Sequence, residues 1–415
     1  MREAIILAGG FGTRLREVVS DVPKPMAPIG HRPFLAILLN HLKGCGFDHV
    51  VLATGYMHEV IADHFGDNYE GMVLSYARET TPLGTGGAIV NALQHCTEEN
   101  VTILNGDTLF EIDYRKLEAF HASHGGPLSV VLREVEDTSR YGAVATDDGD
   151  RIVGFAEKDT AHGAGTINGG IYRLNRSLLA DRKVGDAFSF EKEILQGCYR
   201  EKAFFAYPST AYFIDIGVPD DYYRLVKRME EMWTLFLDRD GVLNVRIDGD
   251  YVRRPEQFEL LPGVPEALAL LARYFYPIIV VTNQQGIDKG LMTEQDLSDI
   301  HAKLLNEVER KGGRIDRIYF CPELASSNSQ YRKPNIGMAL KARKDFPDIK
   351  LKHSIMVGDS MTDLLFGRRA GMRTVLVGEN PQIAKEYPYL TDYRYDSLLD
   401  FALAVGNKEV VPNGV

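Results

Sequence analysis

Short apolar runs alternate with helix-length segments along the whole 415-residue chain. In the first half, residues 4–8, 50–54, 72–76 and 101–104 are β-rich runs with the length of buried strands, and segments such as 33–45 between them have helix length. From residue 128 to 175 the spacing tightens. Runs at 128–133, 142–146, 152–157 and 170–174 predict closely spaced strands, and hence antiparallel additions to a parallel sheet. Residues 219–231 read as a charge-rich helix. A fresh apolar strand at 233–237 restarts the alternation, with later strands at 278–282, 317–320, 354–357 and 374–377. The pattern predicts an α/β chain of two domains, a mixed sheet in residues 1–231 and a parallel sheet in residues 232–415. No Pro or Gly run lies near Glu231, so a short, stiff junction is expected. Residues 406–415 read as frayed.

Composition narrows the class of function. Hydrophobic residues make up 45% and charged residues 25%, which excludes a disordered chain. The longest apolar runs fall far short of the ~20 residues that span a bilayer. The start, Met1-Arg2-Glu3, enters a strand with no signal-peptide core, which points to the cytoplasm. Cys45, Cys96, Cys198 and Cys321 are scattered and form no CxxC pair, as in a reducing compartment. Net charge is −11 with no basic run, so neither nucleic acid nor a membrane is an expected partner. An acidic chain that handles phosphates must concentrate its cations at the sites themselves.

The first strand leads into Leu7-Ala-Gly-Gly-Phe-Gly-Thr-Arg-Leu15. Gly9, Gly10 and Gly12, between a strand and a helix, let backbone N–H groups of this turn, with Thr13 and Arg14, approach a phosphate chain. Such a turn alone fits a plain tight connection equally well, and it is no Walker A loop. Pro23-Lys-Pro-Met-Ala-Pro-Ile29 follows, with Lys24 held between two prolines. Together the stretch resembles the signature of sugar-1-phosphate nucleotidyltransferases. Further matches fall in that family's order: Glu79-Thr-Thr-Pro-Leu-Gly-Thr-Gly-Gly-Ala88, Asn105-Gly-Asp107, Glu157-Lys158, Asn168-Gly-Gly170 and Ile214-Asp-Ile-Gly217.

The resemblance implies a Rossmann-like nucleotidyltransferase domain over residues 1 to about 231. There a sugar phosphate oxygen attacks the α-phosphorus of a nucleoside triphosphate and pyrophosphate leaves. Two anions must meet, so the barrier is electrostatic and positional. By the resemblance, Leu7, Gly9, Gly10, Gly12, Thr13, Arg14, Glu79, Gly84 and Gly87 bind the nucleotide. Arg14 and Lys24 hold the triphosphate and its developing charge. Asp107 and Asp215 hold Mg²⁺, a hard cation suited to carboxylate oxygen. Lys158 orients the incoming phosphate, Glu157 accepts sugar hydroxyls, and Asn168 and Gly169 form the sugar-side loop. The Pro-Leu-Gly-Thr stretch looks more like guanylyl- than thymidylyltransferases, which favours GTP. Uridylyl-transferring relatives carry a similar Glu, and an exposed loop Glu is the plain alternative for Glu79.

In the second half, Leu235-Phe-Leu-Asp-Arg-Asp-Gly-Val-Leu243 sets Asp238 and Asp240 where a strand ends. Alone this fits a simple metal site or a capping turn. Thr282-Asn283, Arg332-Lys-Pro334 and Gly358-Asp-Ser-Met-Thr-Asp363 follow at the ends of later strands, and four such ends converge on one crevice. The set resembles the haloacid dehalogenase superfamily, with spacing that leaves room for only a minimal cap. The resemblance makes Asp238 the nucleophile and Asp240 the general acid and base. Thr282 and Lys333 hold the phosphoryl group, and Asp238, Asp240 and Asp359 surround a second Mg²⁺. Asp363 is either a support for that metal or an ordinary helix-start residue.

Tyr251-Val-Arg-Arg-Pro255, Thr282-Asn-Gln-Gln-Gly-Ile287 and Tyr331-Arg-Lys-Pro-Asn-Ile-Gly-Met338 look most like D-glycero-D-manno-heptose-1,7-bisphosphate phosphatases, with histidinol-phosphate phosphatases as neighbours. Arg253, Arg254, Asn283 and Arg332 are the substrate-binding candidates this implies. Of that family's zinc-loop ligands only Cys321 is present, and one thiol cannot build a tetrahedral site, so no zinc is expected. A phosphatase acting on a sugar bisphosphate makes the sugar 1-phosphate that the transferase consumes. The pair therefore points to heptose 1,7-bisphosphate, heptose 1-phosphate and GDP-heptose in turn, feeding a surface polysaccharide. Mannose 1-phosphate, N-acetylmuramate 1-phosphate or histidinol phosphate are rival substrates. A catalytically silent sensor or scaffold module is the rival of another class.

Overall fold

The computed structural model describes the chain apart from residues 11–14, 16–17, 20, 139–142, 156–162, 248, 379–380 and 411–415. Gly12, Thr13, Arg14, Glu157 and Lys158, together with the start of the strand expected at 142, lie outside the described residues. Two compact units divide the chain, Met1–Val226 and Lys227–Val415. The division falls inside the helix Pro219–Glu231, a few residues ahead of the 231/232 boundary expected from sequence.

The first unit is built on an eight-stranded sheet. Its order is Phe204–Ser209, Leu128–Val135, Gly165–Asn175, Asn100–Asn105, Glu3–Leu7, His49–Thr54, Met72–Arg78 and Asn68–Tyr69. Glu3–Leu7 lies centrally and pairs parallel with both neighbours, Ile5 opposite Val51 and Ile103. Layers cover both sheet faces, so Ala4, Ile5, Ile6 and Val50–Ala53 are all buried and the runs read as continuously apolar. Helix Phe34–Gly44 supplies part of that cover, burying Phe34, Leu35, Leu38, Leu39 and Leu42 along one stripe.

Two expectations from the tight strand spacing are corrected. Of the strands expected between residues 128 and 175, Gly165–Asn175 joins the main sheet antiparallel to its neighbours. Val144–Thr146 and Ile152–Phe155 instead pair with each other in a separate ribbon. Each buries a single apolar residue, Val144 or Ile152, which is too little to cover a sheet face. Phe204–Ser209, unforeseen, adds a parallel edge strand beside Leu128–Val135. It carries Pro208, which an edge tolerates and a central strand does not.

The second unit has a six-stranded, wholly parallel sheet. Its order is Arg317–Cys321, Phe275–Asn283, Trp233–Leu237, Ser354–Gly358, Arg373–Val377 and Tyr393–Tyr395. Connections leave the buried Trp233–Leu237 strand in opposite directions on its two sides. This creates a switch point, and a crevice, at the strands' carboxyl ends. Residues 406–410 are not frayed: Glu409 N donates to Ala404 O at 2.9 Å, and Val410 is 1% exposed within the core. Among the described residues no helix is long and apolar enough to cross a membrane.

Candidate active sites

In the first unit a cleft of about 630 Å³ opens where Glu3–Leu7, His49–Thr54 and Asn100–Asn105 end. Leu7, Gly9, Gly10, Lys24, Glu79, Gly84 and Asp107 line it, as do Tyr56, Thr85, Asn105, Glu191 and Gly217. A Cβ on Gly9 would press on Gly55 N at 3.3 Å and on Glu79 Oε1 at 3.4 Å, whereas Gly10 has open space around it.

Lys24 sits on a single 3₁₀ turn, Lys24–Met26, flanked by Pro23 and Pro25. Its Nζ lies 2.5 Å from Asp107 Oδ2 and 3.8 Å from Asp215 Oδ1. Asp107 and Asp215 meet because Thr108–Phe110 pairs antiparallel with Phe213–Asp215, Thr108 opposite Asp215, and Ile216 N donates to Asp107 O at 2.9 Å. Gly217 N donates to Asp215 Oδ1 at 2.7 Å, and a Cβ there would sit 2.7 Å from Lys24 Nζ and displace it. Two carboxylates sharing one ammonium form a hard-oxygen donor set that suits a divalent cation arriving with phosphate oxygens.

Glu79 follows the Met72–Arg78 strand and accepts Leu83 N at Oε2, 3.1 Å. Burial raises its carboxyl above the ordinary range, partly offset by the Leu83 N–H. Gly84, at φ +70°, lies under the Phe188 carbonyl. Gly87 does not join the cleft wall: its missing Cβ makes room for the Asp186 carbonyl, so glycine there serves packing. Asn168 and Gly169 belong to a bulge of the Gly165–Asn175 strand, where the register shifts. Asn168 Nδ2 donates to Tyr172 Oη at 2.7 Å, and its Oδ1 accepts Gly170 N at 3.0 Å. Gly169 leaves space for the Phe110 ring.

The second unit's crevice gathers charge more tightly. Lys333 Nζ lies 2.6 Å from both Asp238 Oδ1 and Asp363 Oδ1, and all three residues are buried. Asp238, Asp359 and Asp363 offer oxygens within 4.8 Å of one another. Gly241, at φ +93°, lets the chain turn so close to Asp359 that a Cβ would strike its carboxylate. Burial and the charge of Asp363 raise the Asp238 carboxyl far above its usual range against the pull of Lys333. Burial and Asp363 push Asp359 up to about 6, with Arg246 opposing at 3.3 Å. One buried ammonium among three carboxylates leaves negative charge that a divalent cation would neutralise.

One expected placement changes here. Asp240 is not in the carboxylate cluster, and Asp363 takes that place. The Asp240 carboxylate instead accepts Arg239 Nη2 at 2.8 and 2.9 Å, Asn244 Nδ2 at 2.9 Å and Gln284 Nε2 at 2.9 Å. Burial opposes its charge, but the fully buried Arg239, with Asn244 and Gln284, holds its carboxyl below the usual range. Asn283 uses both amide atoms on the Lys333 backbone, at 3.0 and 3.1 Å, and so fixes that lysine. Asp363 is both neighbour to Lys333 and partner of Ser360 in the capping box of helix Met361–Ala370.

Thr282 Oγ1 accepts Gln284 Nε2 at 2.8 Å, which leaves its own O–H to donate. Arg253 pairs with Asp250 at 2.5 Å, Arg254 is exposed, and Arg332 donates to Glu323 O at 3.1 Å. Arg239, Asn244, Gln284 and Arg246 escaped sequence reading. Arg239 lies between Asp238 and Asp240, and Gln284 directly follows Thr282-Asn283, so adjacency to the motif residues was the signal available.

Comparison with known proteins bears on both units. The nucleotidyl transferase family model matches residues 3–232, and a HAD-hydrolase-like model matches residues 330–401. The D-glycero-alpha-D-manno-heptose 1-phosphate guanylyltransferase of Aneurinibacillus thermoaerophilus is 47% identical over 228 residues, 55% of this chain and 98% of its own. A solved structure of HddC from Yersinia pseudotuberculosis aligns with 55% of this chain and 100% of its own, at 37% identity and a TM-score of 0.50. A solved D,D-heptose 1,7-bisphosphate phosphatase from B. bronchiseptica is a fainter match, at 28% identity and a TM-score of 0.39 over 43% of this chain and 99% of its own.

Proposed function

The chain belongs to the nucleotidyl transferase family and carries a haloacid-dehalogenase-like domain, and from that premise we propose a bifunctional enzyme of nucleotide-sugar synthesis. Its second unit would remove the 7-phosphate of D-glycero-D-manno-heptose 1,7-bisphosphate. Its first unit would then transfer GMP from GTP to the heptose 1-phosphate, giving GDP-heptose and pyrophosphate. The observation that carries this reading is the pair of separate constellations, Lys24 with Asp107 and Asp215, and Lys333 with Asp238 and Asp359. Heptose and GTP are favoured by the 47% identity to a heptose 1-phosphate guanylyltransferase. The phosphatase substrate follows from chemistry, since the transferase needs a sugar bearing a phosphate at C1.

In the first unit, Lys24 and Arg14 balance charge on the triphosphate while a sugar-phosphate oxygen bonds to the α-phosphorus and the bond to pyrophosphate breaks. Glu157 and Lys158 hold the sugar and its phosphate. Glu79 accepts the N1–H and N2–H₂ of guanine. In the second unit, Asp238 bonds to phosphorus as the bond to the sugar oxygen breaks, and Asp240, having first taken up a proton against the pull of Arg239, gives it to that oxygen. Asp240 then takes a proton from the water that hydrolyses the aspartyl phosphate. The Thr282 hydroxyl and Lys333 Nζ hold the phosphoryl oxygens. Mg²⁺, where Asp107 with Asp215 and Asp238 with Asp359 would hold it, supplies charge neutralisation on the phosphates.

The test is to incubate the full chain with the heptose bisphosphate and each nucleoside triphosphate in turn, measuring phosphate and pyrophosphate release. Phosphate release in every mixture, with pyrophosphate chiefly from GTP, is the expected result. Equal pyrophosphate from UTP, dTTP or CTP would overturn the guanylyl assignment.

A further inference from the structure

Glu191 stands in the wall of the nucleotidyltransferase cleft, outside every motif that identified the site. Its Oε2 accepts the Thr85 hydroxyl at 2.6 Å and the Ser189 hydroxyl at 3.0 Å. Neither donor is free to turn elsewhere. Thr85 Oγ1 already accepts Phe190 N at 2.9 Å, and Ser189 Oγ already accepts Lys192 N at 3.2 Å as the cap of the turn Phe190–Gln196. Two backbone N–H groups thus orient two hydroxyl protons onto one carboxylate oxygen. Oε1 has no donor among the described residues.

The carboxylate is held rigidly. Gly86 N donates to Phe188 O at 3.0 Å and Phe188 N to Leu83 O at 2.9 Å, and Gly84, Gly86 and Gly87 have no Cβ where Phe188 and Asp186 pack against them. The segment bearing Glu191 is therefore seated on the helix Gly84–Ala92 that opens the cleft's floor. Its neighbour Phe190 packs edge-on to the Tyr172 ring, with centroids 5.2 Å apart, and the Tyr172 hydroxyl is bound to Asn168. Through Phe190 and Tyr172 the segment bearing Glu191 is thus tied to Asn168, in the loop expected on the sugar side.

A fixed carboxylate oxygen in a cleft that receives anions repels phosphate and can only accept hydrogen bonds. The donors left on the substrates are hydroxyls. We propose that Glu191, oriented by Thr85 and Ser189, is a specificity-determining residue that accepts a hydroxyl of the sugar 1-phosphate through Oε1. This rests on the reading of the first unit as a sugar-1-phosphate nucleotidyltransferase.

Glu191→Gln tests it in the full chain. The amide oxygen still accepts Thr85 and Ser189, so the free position changes from acceptor to donor with little change of shape. A hydrogen bond to a charged group is lost, so KM for the sugar 1-phosphate should rise roughly ten- to hundredfold. KM for GTP should stay within about twofold, on the same grounds. Among mono-deoxy sugar 1-phosphates, the analogue lacking the partner hydroxyl should be used equally by wild type and variant. Thr85→Val, which removes one orienting proton, should raise the same constant by less and provides a second reading if Glu191→Gln fails to fold. Unchanged constants, or a rise in KM for GTP pointing to the ribose instead, would overturn the assignment. If the wild type releases no pyrophosphate from any triphosphate with a sugar 1-phosphate, the reading of the unit itself fails, a distinct outcome.

Discussion

The two crevices handle charge in opposite ways. In the second unit, Asp238, Asp363 and Lys333 are buried together and every partner is within hydrogen-bonding distance before any substrate arrives. In the first unit, Lys24 spans two aspartates in an open cleft, with Asp107 still 34% exposed. A site that makes a covalent intermediate on its own carboxylate needs that group fixed and dry. A site that only brings two substrates together leaves room for the substrates to complete it. The first is preorganised by protein alone, and the second by protein plus ligand.

Separate inactivation is the hardest test of this contrast. Asp238→Asn should abolish phosphate release by about 10⁴-fold, the scale of removing a catalytic nucleophile, and leave pyrophosphate release within about twofold. Asp107→Asn should do the reverse, with both products followed in one assay. Loss of both activities in either variant would break the picture of two independent sites.

Next comes stability. Lys333→Met leaves Asp238 and Asp363 buried without their cation, which costs about 3–5 kcal/mol. Denaturant melts in chelator should show that loss in the second unit's transition, while Lys24→Met, whose partner Asp107 is 34% exposed, should cost less. Equal losses would mean that the two clefts bury charge alike.

Smaller again is Gly84→Ala. The new Cβ meets the Phe188 carbonyl at a left-handed backbone position, a strain of about 1–2 kcal/mol, and the displaced loop should raise KM for GTP. The smallest effect is on pH. Burial raises the Glu79 carboxyl, so as pH falls from neutral it takes up a proton at a higher pH than an ordinary glutamate would. If it accepts the guanine N–H groups, KM for GTP should climb on that acid side by several-fold. Glu79→Gln should give a flat profile over the same range.

Much of this was legible in the chain before any coordinates. Runs such as 50–53 and 235–237 are apolar throughout because they lie at sheet centres covered on both faces, and burial of that kind marks the sequence directly. Lys24, Asp107, Asp238 and Lys333 stood out because glycines and prolines fix their backbone, and such punctuation is local. Edge elements left weaker marks: Phe204–Ser209 carries a proline, and Tyr393–Tyr395 is a three-residue strand with a charged centre.

What only the tertiary structure decided is which polar group meets which. Asn283 holds the Lys333 backbone, Asp363 rather than Asp240 joins Asp238 and Asp359, and Glu191 meets Thr85, more than 100 residues away in sequence, in one cleft. Hydrophobic burial is non-directional and repeats with the period of each element, so a sequence carries it in its pattern. A hydrogen bond depends on angles and tenths of an ångström between segments that meet only after folding, and no local pattern encodes that.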